Sequence, residues 1–195
     1  MIYIICEGET EEKYFSDYKT HFLQKPISDL VTLVKIKKAK DSCPKSLLTE
    51  ASECLDASEF KDNVFAWLVF DTEEKIKNEN RFLKAKEIFN SNKKGKIKLA
   101  ISNPSFELWL LSHFIEICSK HDSIKKIKND LKKNCSYKDC SKQQNFNLFK
   151  SSISDAMERC KKRISHSNKN KEVFEKPSTT VHFLVESIQE FDPFK

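Results

Sequence analysis

Two stretches of the chain place carboxylates where a fold can use them. In Met1-Ile-Tyr-Ile-Ile-Cys-Glu-Gly-Glu-Thr-Glu-Glu12 an apolar run stops abruptly at an acid, a glycine and further acids. The run Val64-Phe-Ala-Trp-Leu-Val-Phe70 stops the same way, at Asp71-Thr-Glu73-Glu74. One acid at the end of a strand says little, because helix starts attract acids anyway; two apolar runs ending alike say more. Asp71 and Glu73 are two residues apart, so an extended backbone aims both side chains to one side. If the two strands are adjacent and parallel, Glu7, Asp71 and Glu73 meet in one crevice. Three hard oxygen ligands there suit Mg²⁺ or Mn²⁺.

The elements that must position these acids follow from the pattern. Ile2 to Cys6 has the length and β-branched content of a strand buried on both faces. Gly8 permits a tight turn, and Thr10 reads as the cap of a helix to about Leu23 with Tyr14, Phe15, Tyr18 and Phe22 along one stripe. Leu30 to Ile36 is a second strand, followed by Lys37, Lys38 and Lys40, which either face a phosphate backbone or form a solvated loop. Pro44 to Ser58 is a helix with Pro44 in its first turn, and Ile76 to Phe89 is another. Lys96 to Ile101 is the fourth strand. The order β-α-β-α-β-α-β predicts an α/β fold, a parallel sheet of about four strands flanked by helices. With glycine only at positions 8 and 95 there is no glycine-rich phosphate loop, which disfavours P-loop and dinucleotide binding. No Gly-x-Ser-x-Gly elbow is present either.

Ser102-Asn-Pro-Ser-Phe-Glu-Leu opens a further helix, with Ser102 or Asn103 as cap and Glu107 in the first turn. Leu108, Trp109, Leu111 and Phe114 belong to the core, with His113 a structural residue among them. From there the pattern is helical. His121 to Lys133 is a basic amphipathic helix, Phe146 to about Ile164 another, and Ser178-Thr-Thr180 caps a last helix that carries His182 in its first turn.

The net charge of +6 is concentrated. Residues 119–171 hold 15 Lys and Arg against 5 Asp and Glu, so this segment attracts polyanions while the remainder is acidic. Lys125, Lys126, Lys128, Lys132 and Lys133 are the candidate nucleic-acid contacts; the alternative is a solvated lysine-rich face. Seven dispersed cysteines do not resemble a disulfide framework. Cys118, His121, Cys135 and Cys140 offer a structural zinc site at a spacing irregular for the common fingers. No apolar run approaches the roughly 20 residues needed to span a bilayer, and a cytoplasmic location is expected, with no membrane partner.

Ile-Cys-Glu-Gly-Glu-Thr-Glu followed by Phe-Asp-Thr-Glu resembles the Glu and Asp-x-Asp signature of the Toprim domain, with Glu73 where Asp is usual. Ala100-Ile-Ser-Asn-Pro-Ser-Phe-Glu-Leu-Trp-Leu-Leu-Ser-His-Phe114 and Pro177-Ser-Thr-Thr-Val-His182 resemble the RloB family, related to the abortive-infection proteins called AbiLii. The blocks fall in order across nearly the whole chain. The resemblance implies a Toprim-like core over residues 1–118 and a basic helical extension over 119–195. It implies a divalent-metal-dependent nuclease acting on RNA, tRNA included, or on DNA, within a phage-defence or restriction-associated system. Glu7, Asp71 and Glu73 would hold the metal, with Glu7 as ligand or general base, and Glu107 and His182 would wall the cleft. An ABC-type ATPase resembling RloA is the implied partner. A non-catalytic adaptor that binds nucleic acid or the ATPase is the rival, favoured by the Glu73 departure.

Overall fold

The computed structural model describes residues 1–22, 33–60, 63–72, 95–135, 146–165 and 177–191. Its strands are β1 (Ile2–Cys6), β2 (Val34–Lys38), β3 (Phe65–Asp71), β4 (Ile97–Asn103) and β5 (Ser178–Thr179). Its helices are α1 (Glu9–Phe22), α2 (Pro44–Asp56), α3 (Glu107–Ser112), α4 (Ile124–Cys135), α5 (Ile153–Ser165) and α6 (Val181–Gln189). The expected helix over 76–89 and the residue Glu73 lie outside the described residues.

One sheet of order β2-β1-β3-β4-β5 organises the chain, the first four strands parallel and β5 antiparallel. The apolar runs of β1 and β3 make them inner strands covered on both faces. Alternation along each strand sorts side chains to two layers. Ile2, Ile4, Cys6, Trp67, Val69 and Ala100 join one core with Tyr14, Phe15 and Tyr18 of α1 and with Trp109, Val181 and Leu184. Ile5, Leu68, Phe70 and Ile101 join another with Leu47 and Ala51 of α2. Each buried Ile, Leu or Phe contributes about 1.5–3 kcal/mol of burial free energy. Those contributions hold the strand ends in register.

Chain order places the crevice. From β1 the chain passes through α1 to β2 on one side, then through α2 to β3 on the other. The topology therefore switches between β1 and β3, and open α/β sheets take ligands outside the carboxyl ends of strands at such a point.

The structure has one strand more than the alternation predicts. Ser178 and Thr179 pair with Asn103 and Ser102, and the Thr180 hydroxyl accepts from the Ile101 amide at 2.8 Å instead of capping α6. A two-residue strand carries no periodicity to read. The helix expected from Phe146 starts only at Ile153, after two 3₁₀ turns. Those turns bring Phe146 and Phe149 together against Tyr14, and the Phe149 carbonyl is taken by the Ser152 amide and hydroxyl and by His113 Nδ1. Asn103 ends β4, and α3 begins at Glu107, later than the expected cap at Ser102 or Asn103.

Candidate functional site

Glu7 and Asp71 meet at the carboxyl edge of the two central strands. Cys6 pairs with Val69 in register, the Glu7 amide continues the ladder to the Val69 carbonyl at 2.9 Å, and the Asp71 amide donates to Glu7 Oε2 at 3.1 Å. Glu107 comes to the same place from the first turn of α3. Its carboxylate is 13% exposed, and its charge acts on Asp71 and on Glu11.

Glu11 is the residue the sequence pattern hid among the helix-start acids. It is only 4% exposed, whereas surface acids of a first turn remain in water. Burial, opposed by its own amide and reinforced by the charges of Glu7 and Glu107, raises its carboxyl to about 7. Asp71 is pushed well above the usual carboxylate range, first by burial and then by Glu11, Glu107 and Glu7, with a hydrogen bond from the backbone of Phe106 pulling the other way. Groups that ionise together in water are here made to share charge. The signal in the sequence is the i, i+4 spacing from Glu7 across Gly8, a turn that folds α1 back over the end of β1.

Gly8 serves that turn through its lack of a side chain. A Cβ there would sit 2.5 Å from Glu11 Oε2. The obstructed atom ends a flexible side chain, so Gly8→Ala is expected to keep the fold, with stability changed by no more than about 1 kcal/mol, and to displace the Glu11 carboxylate. Carboxyl NMR should then find the Glu11 titration midpoint below about 7; an unmoved midpoint would assign the perturbation to something other than this close fit.

The basic helix reaches the acids. Lys128 Nζ stands 3.4 Å from Glu107 Oε1. Lys126 pairs with Asp122 at 2.9 Å and Lys133 with Asp130 at 3.0 Å, both at the surface, and Lys125 and Lys132 are exposed. At the other rim, Lys38 pairs with Glu9 at 3.1 Å, while Lys37 is engaged by the buried Glu50. A bonded amphipathic helix explains the α4 placement: Ile127 and Leu131 are fully buried and the lysines take the outer side.

His182 is fully buried in the first turn of α6. Burial lowers its ring to about 4, and the side-chain charges acting on it are Lys161 and Glu186. The structure thus groups Glu7, Glu11, Asp71 and Glu107, with Lys128, and buries His182 in the first turn of α6. His113 is also a core residue, bonded to the Tyr14 hydroxyl at 3.2 Å and lowered to about 3 mainly by burial.

Among the described residues no three His, Cys, Asp or Glu side chains close into a ready metal cage. That holds for the zinc combination too. His121 Nδ1 accepts from the Cys118 amide at 3.1 Å, the Cys135 thiol donates to the Leu131 carbonyl at 3.2 Å, and Cys140 lies outside the described residues. No helix among the described residues is long and apolar enough to cross a membrane.

Comparison with curated proteins and with solved structures found no match. The family model described as RloB-like protein matches residues 2–188, a span that takes in the four acids, the basic helix α4 and nearly all of α6, and the chain belongs to the RloB-like family.

Proposed function

We propose that the chain is a divalent-metal-dependent nuclease with a Toprim-type core, hydrolysing phosphodiester bonds of RNA, tRNA included, or of DNA, in a phage-defence or restriction-associated system. The observation that carries this reading is the convergence of Glu7, Glu11, Asp71 and Glu107 at the switch point of the sheet, with Lys128 of a basic helix on the cluster. Carboxylate oxygens are the donors that Mg²⁺ and Mn²⁺ prefer. The crowding that raises Glu11 and Asp71 is charge that such a cation offsets, so the donor set fits.

Glu7 and Asp71 would hold the cation, joined by Glu73, with Glu11 and Glu107 beside them. When bound, it supplies Lewis acidity toward a phosphoryl oxygen. The rest of the work falls to the chain. Glu11, buried beside the strand ends, is placed to accept a proton from a nucleophile. Lys128 brings positive charge to the phosphate on the side of Glu107. The exposed lysines of α4 bind backbone phosphates without reading bases. An ABC-type ATPase partner resembling RloA fits the family and would keep a toxic activity silent until it is needed.

Binding through Lys125, Lys126, Lys128, Lys132 and Lys133 is expected to be sequence-indifferent and steeply salt-dependent. Five phosphate contacts should lower affinity by roughly two to three orders of magnitude between about 50 and 200 mM salt. Fluorescence anisotropy on a labelled RNA and a labelled DNA would measure it; a salt-insensitive affinity would make this face a protein interface instead.

The test of function is cleavage. Purified protein is incubated with tRNA, duplex DNA and single-stranded DNA, with Mg²⁺, Mn²⁺ or EDTA, with and without the ATPase. Divalent-dependent cleavage of any of these supports the reading. Inert protein under every condition, with no Mn²⁺ bound at the acids by calorimetry, would make the chain an adaptor.

A further inference from the structure

The turn that follows β2 carries lysines to the same edge of the sheet as the acids. Lys38, the last residue of β2, pairs in register with Cys6, the neighbour of Glu7. The Ala39 amide continues the ladder to the Cys6 carbonyl at 2.8 Å, which ties the turn to β1. Strand alternation divides the side chains between two faces. Lys37 goes to the α2 face, where it meets Glu50, and Lys38 to the α1 face, where it meets Glu9.

Glu50 makes this turn a fixed feature. It is only 5% exposed, a costly setting for a carboxylate unless its charge is met. One oxygen accepts from the Lys40 amide at 2.8 Å and the other faces the Lys37 ammonium, whose hydrogen bond holds the Glu50 carboxyl below its ordinary value in spite of burial. The charge of Glu50 is thus compensated within the turn, while the Lys38 and Lys40 side chains stay in water. The pair of Lys38 and Glu9 is itself exposed, at 42% and 49%. Such a pair adds little stability and exchanges easily for a phosphate.

The strand order β2-β1-β3-β4 puts Lys38 and Lys40 on the β2 side of the acids. Lys128 reaches Glu107 from the other side, where α3 follows β4. Neighbouring strands lie about 4.8 Å apart, so the ends of β2 and β3 are roughly 10 Å apart. An anionic strand laid along this edge passes from cation to acids to cation. We propose that Lys38 and Lys40 form a second phosphate-binding subsite, which holds the nucleic-acid backbone on the side of the acid cluster away from α4. The proposal rests on the nuclease reading. Contacts to α4 alone hold the backbone at one end of the site; a second grip on the β2 side draws it across Glu7 and Asp71. Glu9 is the group that the phosphate displaces from Lys38.

The experiment is fluorescence anisotropy of the full-length protein on a labelled single-stranded RNA, in EDTA so that nothing is cleaved, over a range of salt. Lys38→Gln combined with Lys40→Gln is expected to flatten the dependence of log K on log salt by about 0.7 for each lysine, and to weaken binding at least about tenfold at about 100 mM salt. The loss should add to that from Lys132→Gln with Lys133→Gln on α4, because the two sets meet different phosphates. Glu9→Gln should tighten binding, and the gain should shrink once Lys38 is also replaced. Lys35→Gln, three residues back on β2, controls for general loss of charge and should leave the slope nearly unchanged. All these positions are exposed, so the variants keep the fold. A slope that Lys38→Gln with Lys40→Gln changes no more than Lys35→Gln does would overturn the proposal, make the turn a solvated face and leave the nuclease reading standing. No binding by the parent protein would overturn both.

Discussion

Replacing Asp71 by asparagine is expected to remove divalent-dependent cleavage by at least about a thousandfold while leaving the protein folded. Asparagine keeps an oxygen that can accept from the backbone of Phe106 but takes away the negative charge. That charge is shielded from water and set against Glu7, Glu11 and Glu107, so its loss relieves repulsion. The melting temperature of the metal-free protein should therefore stay the same or rise, and anisotropy should find nucleic-acid binding through α4 nearly unchanged. Loss of the fold together with activity would make Asp71 a structural residue. Retained cleavage would place the reaction elsewhere.

Glu11→Gln should reveal the same crowding through pH. In the unfolded chain the Glu11 carboxyl titrates at its ordinary value of 4.5, and in the fold at about 7. The native state thus holds the proton more tightly, and Glu11 costs stability increasingly as pH rises from 4.5 through 7. At about 1.36 kcal/mol per unit over the shift from 4.5 to about 7, the glutamine variant should be more stable than the parent by roughly 3 kcal/mol above pH 8 and by well under 1 kcal/mol near pH 4.5. The difference between the two proteins is the quantity to measure, by urea denaturation in EDTA. His113 and His182, lowered to about 3 and about 4, act oppositely. Their unfolded forms take up protons as pH falls below 6.5, so both proteins weaken there, equally. A gain for Glu11→Gln that is constant with pH would mean packing, and a loss at pH 8 would mean that Glu11 is paired with a cation.

These outcomes bear on different parts of the site. Asp71→Asn asks whether the acids serve chemistry, and Glu11→Gln asks only whether they crowd. Crowding without cleavage would leave the geometry standing and move the function toward the adaptor.

Much of this molecule can be read directly from the order of its residues. The runs Ile2 to Cys6 and Val64 to Phe70 announce buried strands because apolar side chains on both faces exclude every exposed setting, and the strands form at Ile2–Cys6 and Phe65–Asp71. The alternation of strands and helices then leaves few topologies, and a parallel α/β sheet with acids at one edge follows. The blocks around Asn103 and His182 were enough for the RloB-like resemblance, which the family match bears out. What the sequence could not decide are contacts between residues far apart in the chain. Glu11 looks like any first-turn acid until α1 folds back over β1 and removes it from water. Lys128 looks like any lysine of a basic helix until α4 packs beside α3 and sets it 3.4 Å from Glu107. Ser178 and Thr179 become a strand only because β4 offers them an open edge. Periodicity reports what a residue's own element does to it; burial, charge coupling and edge pairing come from the neighbours that tertiary packing supplies.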